Sequence, residues 1–138
     1  MKSSSWIRWL KFNAVGGIGI LVQLGSLVFL RSYLALNYLL ATALAVEITI
    51  LHNFFWHERF TWSDRKSAAR LQRLAKFNLS NGAISLVGNV AIMKLLVGTL
   101  EMDYFVANVL SIAVCSTANF LVADRAVFVF QNSARAAD

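Results

Sequence analysis

Four apolar stretches of about 20 residues each dominate the sequence, roughly Phe12 to Leu30, Tyr38 to Trp56, Phe77 to Val97 and Tyr104 to Val122. At about 1.5 Å per helical residue, each reaches roughly 30 Å, the thickness of a bilayer's hydrocarbon core. The formal charges inside them are Glu47 and Lys94. The runs lack strict alternation and are about twice as long as a barrel strand, so helices satisfy their backbone groups better than a barrel would. The expected fold class is therefore an all-α membrane protein with four transmembrane helices. Composition agrees, since 58% of the 138 residues are hydrophobic, 14% are charged and none is proline. Such a chain is neither disordered nor an ordinary soluble domain, and the single Cys115 excludes a disulfide framework within the chain.

The basic residues set a direction. Lys2, Arg8 and Lys11 precede the first span, Arg59, Arg65, Lys66, Arg70, Arg73 and Lys76 occupy the central segment, and Arg125 and Arg135 follow the last span. The two short connections on the opposite side hold Arg31 and, if it snorkels, Lys94. The positive-inside rule then makes both termini and the central segment cytoplasmic. Trp6, Trp9, Trp56 and Trp62 fall near the cytoplasmic ends of spans and Tyr33, Tyr38 and Tyr104 near the outer ends, as interfacial belts do. A cleaved signal peptide fits the N-terminus less well, because the apolar run is too long for a signal core and Ala43-Leu44-Ala45 lies inside the second span. The net charge of +6 reads as contact with anionic headgroups, and no nucleic-acid partner is expected. Ser63 to Lys76 reads either as a surface-lying helix or as a solvated basic loop.

The chain repeats itself. A shift of 65 residues lays Arg8, Lys11, Phe12, Asn13, Gly17, Leu21 and Val22 on the identical residues Arg73, Lys76, Phe77, Asn78, Gly82, Leu86 and Val87. A shift of 66 lays Tyr38, Ala41, Leu44, Asn53, Phe54 and Arg59 on Tyr104, Ala107, Leu110, Asn119, Phe120 and Arg125. Two two-helix repeats, residues 8–62 and 73–128, are expected. Each crosses the membrane twice, so the copies run parallel about an axis along the membrane normal. Small residues recur every fourth position at Ala41, Ala45, Thr49 and Asn53, and again at Ala107, Ser111, Cys115 and Asn119. With Gly16, Gly17, Gly19, Gly25, Gly82 and Gly88 on the partner helices, they predict closely packed seams.

No enzyme motif stands out: there is no Walker loop, no HExxH or paired-Cys spacing, and Gly16-Gly17-Ile18-Gly19 lacks the rest of a nucleotide fingerprint. No catalysis, metal or cofactor is expected. Asn78-Leu79-Ser80 matches a glycosylation sequon but falls at the cytoplasmic start of a span. The duplicated Lys11, Asn53 and Arg59, with Lys76, Asn119 and Arg125, lie near the cytoplasmic headgroup level. Such donors suit a phosphate, with Arg as a fork and Lys as a mobile charge; equally, they suit topogenic anchors. Glu47 lies halfway along its span and its repeat partner is the apolar Ala113, with Gln23 and Asn89 at comparable depth. A carboxylate there costs roughly 2.5–3.5 kcal/mol on insertion scales and usually faces an interior or a watery path. Glu47 thus serves as hydroxyl acceptor or proton carrier, or makes an interhelical hydrogen bond.

The segments KFNAVGGIGILVQLG and YLLATALAVEITILHNFFWHERFTW resemble the GtrA family, with its phenylalanine-rich start, glycine pair and later Asn-Phe-x4-Arg-aromatic-x-aromatic block. The resemblance runs over about residues 8 to 130 and is most specific at Asn53 to Trp62; the second copy, Asn119 to Phe128, keeps Asn and Arg but loses one aromatic. It implies one GtrA-like membrane domain over residues 1–138, in the cytoplasmic membrane. The implied activity is movement of a polyprenyl-phosphate-linked monosaccharide to the outer leaflet for surface polysaccharide assembly, beside a glycosyltransferase partner. Asn53 and Arg59 are the residues the shared block carries over. A homo-oligomer is expected, because four such helices can hardly enclose a path alone. The alternatives are a scaffold that docks a glycosyltransferase and presents its lipid acceptor, and a proton-coupled exporter of hydrophobic cations using Glu47.

Overall fold

A computed structural model describes residues 4–65 and 69–129. Lys2, Lys66 and Arg135, among the basic residues that set the orientation, lie outside the described residues, as do the side chains of Tyr38 and Tyr104. Among the described residues all regular structure is helical, and the chain divides into two compact units, Met1–Lys66 and Ser67–Asp138.

The first unit is a helical hairpin of α1 (Ser5–Ser32) and α2 (Tyr38–Trp56), followed by a π turn, His57–Thr61. Short polar side chains start both helices. The Ser4 hydroxyl accepts from the Ile7 N–H at 3.4 Å and the Asn37 carboxamide from the Leu40 N–H at 2.9 Å, each satisfying a first-turn donor with no partner inside its helix. α1 begins a little under two turns before the expected span, with the Trp6 and Trp9 rings stacked at 5.1 Å. At the far end Leu30, Ala41 and Ala45 form a buried cluster with Leu27 and Leu36 against it. The seam continues through buried Thr49, whose hydroxyl donates to the Ala45 carbonyl at 2.8 Å. It ends where the Asn53 carboxamide lies against the backbone of Gly19, so closely that a Cβ there would overlap it.

In the second unit α3 (Arg70–Ala83), a π turn (Ile84–Gly88), α4 (Asn89–Met93) and a further π turn (Lys94–Thr99) run on as one helix from Arg70 to Thr99. It packs on α5 (Tyr104–Val122), which ends in the π turn Ala123–Val127. Here the Asp103 carboxylate accepts from the Val106 N–H at 3.1 Å, and Ala107, Ser111 and Cys115 are buried along the seam. A Cβ on Gly88 would come within 2.8 Å of the Cys115 sulfur.

The connections inside the two units share a backbone solution. Ala35 and Glu101 both take φ 51, a left-handed conformation that ends the preceding helix. The next amide then reaches back six residues, from Leu36 to the Leu30 carbonyl at 3.2 Å and from Met102 to the Leu96 carbonyl at 2.9 Å.

Three helices, Ser5–Ser32, Arg70–Thr99 and Val106–Val127, are long and apolar enough to cross a membrane, and α2, with 19 residues, is a fourth candidate by length. Many large apolar side chains stay exposed on them, among them Ile18, Leu21, Val28, Leu86 and Ile112, as expected of surfaces solvated by lipid.

Three expectations need correction. Ser63 and Asp64 form a turn, so the expected helix over Ser63 to Lys76 is shorter than the segment: Arg70, Arg73 and Lys76 lie on a helix that leads without a break into the third span. Neither proline nor glycine occurs from Arg70 to Phe77, so nothing breaks the helical hydrogen bonding where polarity changes. Close approach at the seams falls to Gly19 and Gly88, whereas Gly16, Gly17, Gly25 and Gly82 have open space beside them. Finally, Trp6 and Trp56 are exposed as interfacial anchors should be, but Trp62 is fully buried in the first unit.

Candidate functional site

The functional candidates gather where each hairpin closes, at the start of one helix and the π turn after the other. In the first unit the π turn closes through a hydrogen bond from the Trp62 N–H to the His57 carbonyl, 2.8 Å, five residues back. That extra residue in the turn directs Trp62 back under α1. The Phe12 ring stacks on His57 with centroids 4.5 Å apart and planes 7° apart, and meets Trp62 edge-on at 6.0 Å. His57 and Thr61 are both buried, and their Nδ1 and Oγ1 atoms lie 3.0 Å apart, so the imidazole and hydroxyl satisfy one another.

The same closure in the second unit uses fewer polar atoms. The Phe128 N–H donates to the Ala123 carbonyl at 2.8 Å, and Phe128 meets Phe77 edge-on at 6.3 Å. Ala123 and Val127, both buried, hold the positions 66 residues after His57 and Thr61, so an apolar pair replaces the hydrogen-bonded one.

The proposed phosphate ligands divide unequally. Lys11 Nζ donates to the Phe60 carbonyl at 3.2 Å and lies 4.6 Å from the centre of the Phe60 ring, a cation–π contact that ties the start of α1 to the π turn. Arg59 is exposed, its guanidinium 5.4 Å from the Phe55 ring centre. Asn53 is part of the seam against Gly19, and its Oδ1 lies 3.1 Å from His52 Nδ1. In the second unit Lys76 and Arg125 are exposed, Arg125 on the π turn. Asn119 Nδ2 donates to the Ser85 hydroxyl at 3.0 Å, while its buried Oδ1 has no hydrogen-bond partner among the described residues.

The mid-span group is shared between the two units. Glu47 lies on an exposed face of α2 and Gln23 is half-buried on α1. Asn89 is engaged within the second unit, accepting from Ser111 Oγ at 2.6 Å and donating to the Ser85 carbonyl at 2.6 Å. Ser111, Asn89, Ser85 and Asn119 thereby form a polar ladder across the seam, next to the π turn at Ile84–Gly88. At the matching positions the first unit has Ala45, Leu24, Ile20 and Asn53.

Reasoning from sequence missed two features. One is the buried His57–Thr61 pair, legible in principle because both members become apolar together in the other copy. The other is a half-open cleft of about 160 Å³ in the second unit, lined by Gln72, Arg73, Lys76, Ala126 and Val127. Arg73, a topogenic residue and the repeat partner of Arg8 in the sequence, is 7% exposed and held by the fold.

Apolar helices of spanning length, with basic and amide side chains collected where the hairpins close, define a multi-pass helical membrane protein. The chain matches the family described as GtrA/DPMS, transmembrane domain, over residues 11–128, and it belongs to that family. It is also similar to a Dolichol-phosphate mannosyltransferase of Pyrococcus furiosus, 32% identical over 115 residues that make up 83% of this chain and 32% of the relative. The chain thus spans about a third of the length of that relative.

Proposed function

We propose that the chain carries a polyprenyl-phosphate-linked monosaccharide from the inner to the outer leaflet of the cytoplasmic membrane, for surface polysaccharide synthesis or glycan modification, and that it does so without catalysing a reaction. The observation that carries this reading is membership of the GtrA/DPMS transmembrane family, joined to similarity with a protein whose name specifies a lipid phosphate and a sugar. Basic residues at the closed ends of both units support it. The phosphate is met by residues drawn from Arg59, Arg125, Lys11 and Lys76, helped by Asn53 and Asn119, while the sugar passes Glu47, Gln23 and Asn89 and the isoprenoid tail stays in lipid.

In this reading the units are parallel two-helix repeats with both termini cytoplasmic. The matched left-handed residues Ala35 and Glu101 and the matched π turns support the duplication. Copies of the chain associate to complete the path, and a crosslinking survey of native membranes that finds monomers alone would remove that part. The test of function is reconstitution of the purified chain in liposomes with a labelled polyprenyl-phosphate monosaccharide, following its access to an external reagent. Wild type accelerates exchange over empty liposomes and Glu47→Gln loses the acceleration; lipid binding with no acceleration ends the proposal.

A second reading is favoured by one observation: the matched segment makes up 32% of the mannosyltransferase relative, so such a domain occurs joined to further chain. The protein would then hold a separate glycosyltransferase at its lipid acceptor. In that case Glu47→Gln is silent, whereas reversing the charges of Arg65, Lys66 and Arg70 abolishes sugar transfer.

A further inference from the structure

Resting on the phosphate-handling reading above, we infer that the cleft of the second unit, lined by Gln72, Arg73, Lys76 and Ala126, is the site that receives the phosphate, and that the corresponding place in the first unit is closed by its own side chains. Arg8 and Lys11 stand where the second unit has Arg73 and Lys76, and Phe60 stands where it has Ala126. In the first unit Lys11 is held by the Phe60 carbonyl and ring, and Arg8 Nη2 donates to the Ser5 hydroxyl at 3.2 Å. In the second unit the exposed methyl of Ala126 leaves room, and the cleft of about 160 Å³ opens beside Lys76. At roughly 30 Å³ per water this is the space of about five waters, enough for a phosphate and the first atoms of its ester substituents.

The lining suits an anion. Arg73 offers a guanidinium fixed by burial, Lys76 a mobile ammonium and Gln72 an amide donor, all in the first turns of the helix that begins at Arg70. The positive end of that helix adds to the same field. The ligand class is a phosphate monoester or diester, presented by a lipid headgroup or free in solution.

The full chain in nanodiscs of zwitterionic lipid, titrated with polyprenyl monophosphate and read by native mass spectrometry, tests this. Ala126→Phe rebuilds the first unit's plug, and Lys76→Gln removes one charge; both positions are exposed, and circular dichroism checks that each variant stays helical. Each weakens binding at least about tenfold, and Lys11→Gln less than about threefold. Binding by Ala126→Phe equal to wild type overturns the site, and equal losses from Lys11→Gln and Lys76→Gln overturn the asymmetry. Displacement by inorganic phosphate assigns recognition to the phosphate alone, while sensitivity to Ala126→Phe without displacement assigns it to the lipid ester. Liposome exchange separates the two proposals. Cleft-dependent binding with no exchange in wild type removes the translocation reading and keeps the site, whereas undiminished exchange by Ala126→Phe removes the site and keeps that reading.

Discussion

The two units solve the same problem of closing a helical hairpin with different side chains. The first packs a three-ring cluster of Phe12, His57 and Trp62 and clamps Lys11 with Phe60; the second packs Phe77 on Phe128 and leaves Lys76 beside an open cleft. The polarity of the seams is reversed relative to the closures. Where the first unit has a polar pair at its end and Ala45, Leu24 and Ile20 in its hairpin, the second has an apolar end and Ser111, Asn89 and Ser85 at the matching positions, laddered to Asn119. A shared backbone scaffold therefore leaves the side chains of each copy free to diverge.

The largest expected effect comes from the closures. Trp62→Ala destabilises by about 4 kcal/mol and Phe128→Ala by about 3 kcal/mol, measured by detergent unfolding; equal losses would show that the additional ring contributes nothing. Next come the seams. Gly19→Val and Gly88→Val each cost about 1–3 kcal/mol by overpacking, whereas Gly17→Val and Gly82→Val stay within about 0.5 kcal/mol. Thr61→Val leaves the buried His57 nitrogen without its partner and costs about 1–2 kcal/mol. The double variant with His57→Ala, which installs the second unit's pair, costs less than the sum of the singles by about 1 kcal/mol, and strict additivity would break the comparison. The smallest effect is a gain: Ala35→Gly and Glu101→Gly each relieve a left-handed residue and stabilise by about 1 kcal/mol or less.

Helix positions were legible because bilayer thickness imposes a length on apolar runs: the expected second and fourth spans coincide with α2 and α5. The small-residue stripe was legible for the same reason that it packs, since a four-residue recurrence lies along one side of a helix. The π turns were not, because one added residue in a helical turn leaves no mark in composition or hydrophobic period. Their consequence, that Trp62 folds inward, was hidden with them. The site was legible as residue types and not as partners. Lys11 and Lys76 are identical in sequence, and the difference between them is set by Phe60 and Ala126, some 50 residues further along the chain. Asn89, expected at the depth of Glu47, bonds to Ser111 across its own hairpin.

The uninterrupted helix from Arg70 to Thr99 carries Arg73 near one end and Lys94 near the other. The 21 residue steps from one to the other span about 31 Å at 1.5 Å per residue, close to the hydrocarbon thickness. A cation at each end resists being drawn into the apolar layer, so this helix acts as a ruler: in a thicker bilayer the lipid must thin around it, and in a thinner one it must tilt. A mismatch in bilayer thickness is thereby felt first at the two ends of this one helix.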